Sequence, residues 1–206
     1  MLPTIPRGFF VCFEGIDQSG KKTQANALVT NLKDRGIQIE QMSFPDYSTP
    51  IGKEIRLALQ AQSVDQPRVR HMLFAANRWE RASAIERALR AGRLLIVNRF
   101  SASNYAFGGA RGLPISWLKN LERGLPSPNF IILLDISPET SLARKSARRD
   151  LHERDLKFLA EVRRIYLELA KSERWKIVDG KRDIYKVHQD VLEVTDKRLK
   201  KRFPVH

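Results

Sequence analysis

The sequence has little cysteine and no long apolar run, and each shortage excludes a class of protein. Cys12 is the only cysteine among 206 residues, so the chain cannot form an internal disulfide or a cysteine-based zinc site. No run of about 18 apolar residues occurs, so we expect no membrane-spanning helix. The first residues lack a small-residue cleavage site, so we expect no signal peptide and a cytoplasmic location. The few histidines have no metal-ligand spacing (His71, His152, His188 and His206).

Acidic residues are scarce relative to basic ones. The chain carries 37 Lys and Arg against 23 Asp and Glu, a formal net charge of +14, which divides into +6 for residues 1–100 and +8 for residues 101–206. An excess spread in this way indicates an anionic partner or simply solubility. No nucleic-acid recognition motif accompanies it, so we do not expect a nucleic-acid partner.

Short apolar runs alternate with longer helical patterns, and no repeat or linker divides the chain. We therefore expect one domain over residues 1–206, with a core built from the 42% of residues that are apolar. The patterns predict strands over 8–14, 37–43, 93–97, 130–135 and 175–178, and helices over 21–35, 51–62, 66–91, 138–147, 156–172 and 184–197. This order is typical of the α/β class, a three-layer α/β/α fold with a five-stranded parallel sheet. Ligands of such sheets bind beyond the carboxyl ends of the strands.

A glycine-rich loop follows the first predicted strand and opens the first long helix. Its sequence from Gly15 to Lys22, GIDQSGKK, satisfies seven of the eight slots of the phosphate-loop template G-x-x-x-x-G-K-[ST]. Glycines let backbone N–H groups surround phosphate oxygens, and the helix directs its positive end at the same anion. We expect Lys21 to reach the β- and γ-phosphates. The predicted ATP-binding residues are Gly15, Ile16, Asp17, Gln18, Ser19, Gly20, Lys21, Lys22 and Thr23.

The last position of the template is not satisfied, and this is the position that normally supplies a magnesium ligand. Lys22 occupies it, and the hydroxyl of Thr23 comes one residue later, rotated by about 100° around a helix. Two readings are open: Thr23 reaches the ion through a shifted loop, or Mg²⁺ is held by water and ATP oxygens alone.

Several stretches resemble the thymidylate kinase family, a family of phosphate-loop nucleoside monophosphate kinases. The stretch from Leu73 to Glu80, LFAANRWE, is the most specific of them. The others, in chain order, are 13–17 (FEGID), 20–24 (GKKTQ), 44–49 (FPDYST) with 51–52, 98–100 (NRF) with 103–104, and 124–128 (GLPSP).

The resemblance implies the phosphate-loop kinase fold, transfer of a phosphoryl group from ATP to dTMP with Mg²⁺, and a homodimer. It implies that Phe74 stacks on thymine, that Arg78 donates to a thymine carbonyl, and that Asp17 accepts from the sugar 3′-hydroxyl. Ser103 and Asn104 would read the base edge, Phe107 would pack against the sugar, and Arg99 would clamp the phosphates. Taken one at a time, these residues also fit purely structural roles. Phe74, for example, lies at helical spacing from other apolar residues, which is also typical of a core position.

Two of the matching stretches depart from the family pattern. Asn98 stands where relatives carry an aspartate, so a negative charge near the magnesium is lost. Tyr47 and Asp46 occupy the positions at which many relatives place an arginine for the monophosphate. Tyr47 could hydrogen-bond the phosphate, whereas Asp46 would repel it unless its carboxylate points away. These departures leave two alternatives to a thymidylate kinase: a related kinase with another pyrimidine acceptor, or a nucleotide-binding paralogue with weakened catalysis.

A basic segment between two predicted helices is a candidate for a closing lid. It covers residues 144–155 and contains Arg148 and Arg149, which we expect to act as an arginine finger that stabilises charge during transfer. A solvated basic loop is the plainer reading of the same charge run.

Overall fold

The structure, a computed structural model, describes residues 8–61, 66–144, 153–200 and 203, and gives the backbone alone for residues 153 and 154. The elements in chain order are β1 (Phe9–Glu14), α1 (Lys21–Asp34), β2 (Ile39–Ser43), α2 (Pro50–Gln60), α3 (Pro67–Arg90), β3 (Leu94–Asn98), α4 (Ser101–Gly109), α5 (Ile115–Leu121), β4 (Phe130–Asp135), α6 (Pro138–Arg144), α7 (Glu153–Ser172), β5 (Lys176–Asp179) and α8 (Ile184–Leu199).

The five strands form one parallel sheet in the order β2-β3-β1-β4-β5. β1 lies at the centre, with Phe13 opposite Asn98 of β3 and Ile132 of β4. The strand order reverses around β1, so the carboxyl ends of β1, β3 and β4 border one crevice, where ligands of open α/β sheets bind. The predicted fold class and the five strands are confirmed.

Helices cover both faces of the sheet and bury its apolar side chains. On one face α1 and α8 pack on β1, β3 and β4, and Leu28 and Leu32 of α1 are fully buried there. On the other face α3 packs against Phe10 and Cys12, while α4 and α7 pack around Leu133. Each fully buried large apolar side chain contributes roughly 1.5–3 kcal/mol, which explains why β1 is apolar almost without interruption.

The sequence patterns missed two helices, α4 and α5. Each leaves its first turn without a side-chain cap from its own N-cap residue, Phe100 or Pro114. The predicted helices 138–147 and 156–172 correspond to α6 and α7, of which α6 is described to Arg144 and α7 already begins at Glu153. No described helix is both long enough and apolar enough to cross a bilayer.

Candidate active site

The loop between β1 and α1 has the backbone geometry of a phosphate cradle. Gly15 has φ +143°, and a Cβ there would lie 2.5 Å from the carbonyl oxygen of Leu134. Gln18 and Gly20 also have positive φ, of 58° and 91°. A non-glycine residue in this region costs of order 1–3 kcal/mol and concentrates at functional sites. Gly20 is the N-cap of α1 and makes no side-chain cap, so the first N–H groups of the helix face the loop.

Lys21 is folded back against this loop and is 6% exposed. Its Nζ donates to the Ile16 carbonyl at 2.6 Å and to Ser19 Oγ at 3.1 Å. Desolvation lowers the pKa of Lys21 well below its ordinary value, and the positive charge of Arg99 lowers it further. A bound polyphosphate would reverse this effect, because it would supply the negative charge that the site lacks.

Lys22 and Thr23, the two residues after Lys21, are both exposed on the first turn of α1. Thr23 lines a depression of about 270 Å³ beside the loop, together with Gln24 and Arg144. Lys22 does not line that depression.

Arg99 connects the phosphate loop with the neighbouring crevice. It follows β3 with φ +64°, and its Nη2 donates to Asp17 Oδ1 at 2.5 Å. Its Nη1 donates to Ser103 Oγ at 3.1 Å, and the guanidinium lies 5.1 Å from the ring centroid of Phe107. Burial favours the neutral guanidine, but the electrostatic interactions with Tyr166 and with the carboxylates of Asp17 and Glu14 outweigh that effect and raise the pKa of Arg99. Arg99 therefore remains a fixed cation between the two halves of the site.

Beside Arg99 lies a cavity of about 350 Å³ that contains most of the predicted substrate-binding residues. Those that line it are Asp17, Tyr47, Phe74, Arg78, Arg99, Ser103, Asn104 and Phe107. Residues that sequence reasoning missed also line it: Phe44, Pro45, Leu59, Arg70, His71 and Arg111. Four arginines and one aspartate give the cavity an excess of positive charge, as an anionic ligand requires.

Arg78 and Asn104 belong to a buried network on one wall of this cavity. Arg78 Nε donates to Glu122 Oε2 at 2.9 Å, and its Nη2 donates to Glu122 Oε1. Asn104 Nδ2 donates to the same Oε1 at 2.9 Å and to the His71 carbonyl at 3.1 Å. The amide of Asn104 therefore presents Oδ1 to His71 Nδ1 at 2.6 Å, and Nδ1 carries the proton. Glu122 was not predicted, because only the folded chain brings it to Arg78.

The loop between β2 and α2 shows how the carboxylate of Asp46, which would otherwise repel a phosphate, is neutralised. Its Oδ2 accepts from Arg81 Nε at 2.6 Å, and its Oδ1 accepts from Ser48 Oγ at 2.6 Å. Desolvation acts to raise the pKa of Asp46, but these hydrogen bonds outweigh it and lower the pKa. Arg81 thus neutralises the carboxylate, while Tyr47 lines the cavity with the guanidinium of Arg56 4.9 Å from its ring centroid.

Glu14 is a further residue that sequence reasoning missed. It is fully buried at the end of β1 and accepts from Phe100 N at 2.7 Å and Ser103 N at 3.3 Å. Its Oε2 accepts from Ser103 Oγ at 2.6 Å and from Tyr166 Oη at 2.9 Å. Glu14 therefore caps α4 from a distant strand and holds Ser103 beside Arg99.

Asn98 lies at the end of β3, next to Arg99. Its Nδ2 donates to Ser43 Oγ at 2.9 Å, and its Oδ1 is buried without a hydrogen-bond partner among the described residues. Asn98 does not line the 350 Å³ cavity. An unpartnered buried acceptor costs about 1–3 kcal/mol, so a ligand that donates to it would be favoured.

The predicted lid falls largely outside the described residues, and both Arg148 and Arg149 lie there. Arg144, at its near end, is anchored to the phosphate loop. Its Nη1 donates to the Gln18 carbonyl at 3.2 Å, and its Nη2 donates to the Gly180 carbonyl at 2.9 Å.

Comparison with known proteins agrees with this geometry. The sequence pattern of the family described as thymidylate kinase matches residues 13–191. Thymidylate kinase of Arabidopsis thaliana is 37% identical over 195 residues, which cover 95% of this chain and 73% of that protein. Thymidylate kinase of Dictyostelium discoideum is 33% identical over 198 residues, which cover 96% and 89%. The solved structure of thymidylate kinase from Candida albicans, described as having broad substrate specificity, superposes with a TM-score of 0.78 at 30% identity and covers 93% of this chain and 92% of that one.

Proposed function

This chain belongs to the thymidylate kinase family, and we propose that it transfers the γ-phosphoryl group of ATP to the 5′-phosphate of dTMP through the residues described above. The observation that carries the assignment of roles is the position of Arg99. Its guanidinium is bonded to Asp17 of the phosphate loop and also lines the 350 Å³ cavity, so it borders both nucleotides. As a member of this family the chain is a nucleoside monophosphate kinase, a phosphotransferase.

For ATP, the proposed contacts are the backbone N–H groups from Gly15 to Thr23 and the ammonium of Lys21. The triphosphate replaces the Ile16 carbonyl and Ser19 hydroxyl as partners of Lys21. The nucleoside end extends into the depression of about 270 Å³ beside Arg144 and Arg182. Lys21 is already desolvated, so its charge acts on the β- and γ-phosphates with little screening by water.

For dTMP, the proposed base site is the wall that Phe74, Arg78 and Asn104 form. Glu122 holds two nitrogens of Arg78, which fixes the plane of the guanidinium and leaves Nη1 for a thymine carbonyl. Phe74 offers its ring for stacking, and Phe107 packs against the sugar. Ser103 reads the base edge together with Asn104, and Asp17 accepts from the 3′-hydroxyl.

Phosphoryl transfer requires positioning and charge stabilisation more than covalent chemistry by the protein. Arg99 supplies a cation that is 16% exposed and fixed by Asp17 and Ser103, so it needs little reorganisation when negative charge develops. Tyr47 hydrogen-bonds the acceptor phosphate, and the Arg81 partner of Asp46 removes the repulsion that a free carboxylate would exert. We propose that Arg148 and Arg149 add cations when the lid closes.

The ligands that we propose for Mg²⁺ are oxygen atoms, which this ion prefers. Among the described residues, no group of three or more His, Cys, Asp or Glu side chains could hold a metal ion. The buried, unpartnered Oδ1 of Asn98 can accept from a magnesium-bound water, and the Thr23 hydroxyl comes one residue after the template position. When bound, Mg²⁺ supplies positive charge to the β- and γ-phosphate oxygens and is held mainly by those oxygens and water.

We also propose a homodimer and a cytoplasmic location. Leu57 of α2 and Val69 and Met72 of α3 are 57%, 42% and 43% exposed, and an apolar interface along α3 would cover them. The single cysteine is buried and suits a reducing compartment.

The test is product analysis with ATP, Mg²⁺ and dTMP by anion-exchange chromatography. We expect ADP and dTDP in equal amounts, and a loss of about 10²-fold or more in kcat for Arg99→Ala with an unchanged melting temperature. Arg164→Ala is the matched control, because Arg164 is exposed and its ion pairs are with Glu161 and Glu168 of its own helix. Near-normal turnover in Arg99→Ala would contradict the role assigned to Arg99. Formation of ADP without dTDP would contradict the assigned reaction.

A further inference from the structure

A second cavity, of about 750 Å³, lies on the sheet face that α4 and α7 cover, and it extends to the amino ends of β4 and β5. It is about twice as large as the proposed dTMP cavity, and no residue lines both. Its mouth lies between the segment 122–129 and the segment 173–175. The roles proposed for ATP and dTMP do not use it.

The inner end of this cavity is a gap in the helical layer. Ile131 of the inner strand β4 is only half-buried, whereas its neighbour Ile132 on the opposite face is fully buried. Tyr105 of α4 also lines the cavity. The inner end of the space therefore has an apolar and aromatic wall, whereas polar side chains such as Ser101, Asn120 and Ser127 line much of the rest.

Among the exposed residues that line the cavity, the basic ones (Lys119, Arg123, Arg174 and Arg198) outnumber the one acidic residue, Glu173, which pairs with Lys119. Arg198 lies 5.2 Å from the ring centroid of Phe130. Arg174 has a left-handed backbone, φ +56°, and its guanidinium makes no hydrogen bond or ion pair with any described residue. Trp175 beside it is half-buried, so an aromatic face and unneutralised guanidinium groups share the mouth.

We propose that this cavity is a second ligand site, and that its ligand is a small aromatic anion: a planar ring system that carries a carboxylate, sulfonate or phosphate. The ring packs against Trp175, and the anionic group binds Arg174 and Arg198. Arginine suits both tasks, because it pairs with anions in a bidentate manner and stacks on rings.

Two buried carboxylates lie in the wall between the two cavities. Glu122 and Glu14 both line the second cavity. Glu122 binds Arg78 and Asn104, and Glu14 binds Ser103, and these three partners line the dTMP cavity. A ligand that shifts either carboxylate must alter the dTMP site. We infer that the two ligands are coupled, and by linkage each changes the affinity of the other by the same factor. This coupling rests on the proposed function, whereas occupancy of the second cavity does not.

The test of occupancy uses 8-anilino-1-naphthalenesulfonate as the probe, with the full chain and fluorescence detection. We expect saturable binding that excess dTMP does not abolish. Arg198→Met and Arg174→Gly should each weaken it about tenfold, since one charge-assisted contact is lost. Glycine suits the positive φ of Arg174, so that variant should fold. Lys33→Ala, an exposed change on α1, is the control and should bind the probe normally.

Three results would overturn the second site: no saturable binding, complete competition by dTMP, or equal affinity in the two arginine variants and the control. Ser127→Trp, which should fill the mouth, provides an independent variant and must also reduce probe binding. Coupling is measured by titrating dTMP calorimetrically with and without saturating probe. A change of at least twofold in the dTMP dissociation constant supports it, and equal constants contradict it. Failure of kinase activity would leave probe binding unaffected, so the two proposals can fail separately.

Discussion

Arg78 on α3 and Glu122 after α5 form an ion pair in which the side chains are 4% and 2% exposed. The pair fixes the guanidinium that we assign to the thymine carbonyl, and the same carboxylate fixes Asn104. A charge pair at this depth needs both partners, because removal of one leaves an uncompensated buried charge.

Glu122→Gln should therefore affect both stability and substrate binding. We expect a loss of about 3 kcal/mol in the free energy of unfolding and a KM for dTMP raised about tenfold, with a smaller effect on kcat. Denaturant unfolding and steady-state kinetics measure the two effects. Glu168→Gln is the control, since its ion pair with Arg164 is exposed and worth about 0–1 kcal/mol. An unchanged KM for dTMP would show that the pair is only structural.

Glu14→Gln should destabilise the chain through the start of α4. The carboxylate accepts from two backbone N–H groups, a serine and a tyrosine, and a glutamine would turn an N–H donor toward them. We expect a loss of about 2–4 kcal/mol in the free energy of unfolding. Amide hydrogen exchange should show faster exchange in residues 101–109 than in α1, and equal protection of the two helices would contradict the capping role.

The two helices that the sequence patterns missed show what sequence reasoning could not reach. The strands and long helices were predictable because their apolar periodicity is local. The cap of α4 comes from Glu14, 86 residues before Phe100. The sequence near Ser101 therefore contains no capping signal from which the helix could be predicted. The phosphate loop and most of the cavity residues were predicted from motifs, whereas Glu122 and Arg81 act through partners that are distant in sequence.

Asn98→Asp should lower the Mg²⁺ concentration required for half-maximal activity several-fold. A carboxylate in place of the buried, unpartnered amide oxygen would hold magnesium-bound water more strongly. Activity measured over a Mg²⁺ series tests this. Asn129→Asp adds the same charge at the start of β4, where the amide oxygen accepts from Phe10 N, and should leave the Mg²⁺ requirement unchanged. An identical requirement in both variants would remove Asn98 from the metal site.

His71 should make the stability of the chain depend on pH. Desolvation lowers its pKa to about 4, below the ordinary value of 6.5, so between these values the unfolded chain binds more protons. The contribution is complete above about pH 6.5 and decreases as the pH falls toward 4, by at most about 1.4 kcal/mol per pH unit. Urea unfolding from pH 7 to pH 4.5 should show a shallower pH dependence for His71→Gln than for the native chain. Parallel curves would mean that the pKa of His71 is the same in the folded and the unfolded chain.

The most direct test of the account is ADP release from ATP and Mg²⁺ with dTMP, dUMP, dCMP, UMP and AMP as parallel acceptors. We expect robust release with dTMP and much weaker release with AMP, whose base has no carbonyl for Arg78, and with dCMP, in which an amino group replaces the C4 carbonyl of thymine. We expect weak release with UMP, because Phe107 would disfavour its ribose. Release with AMP or UMP above that with dTMP would contradict the assignment of Phe74, Arg78 and Phe107. No ADP release with any of the five acceptors would contradict the proposed kinase activity.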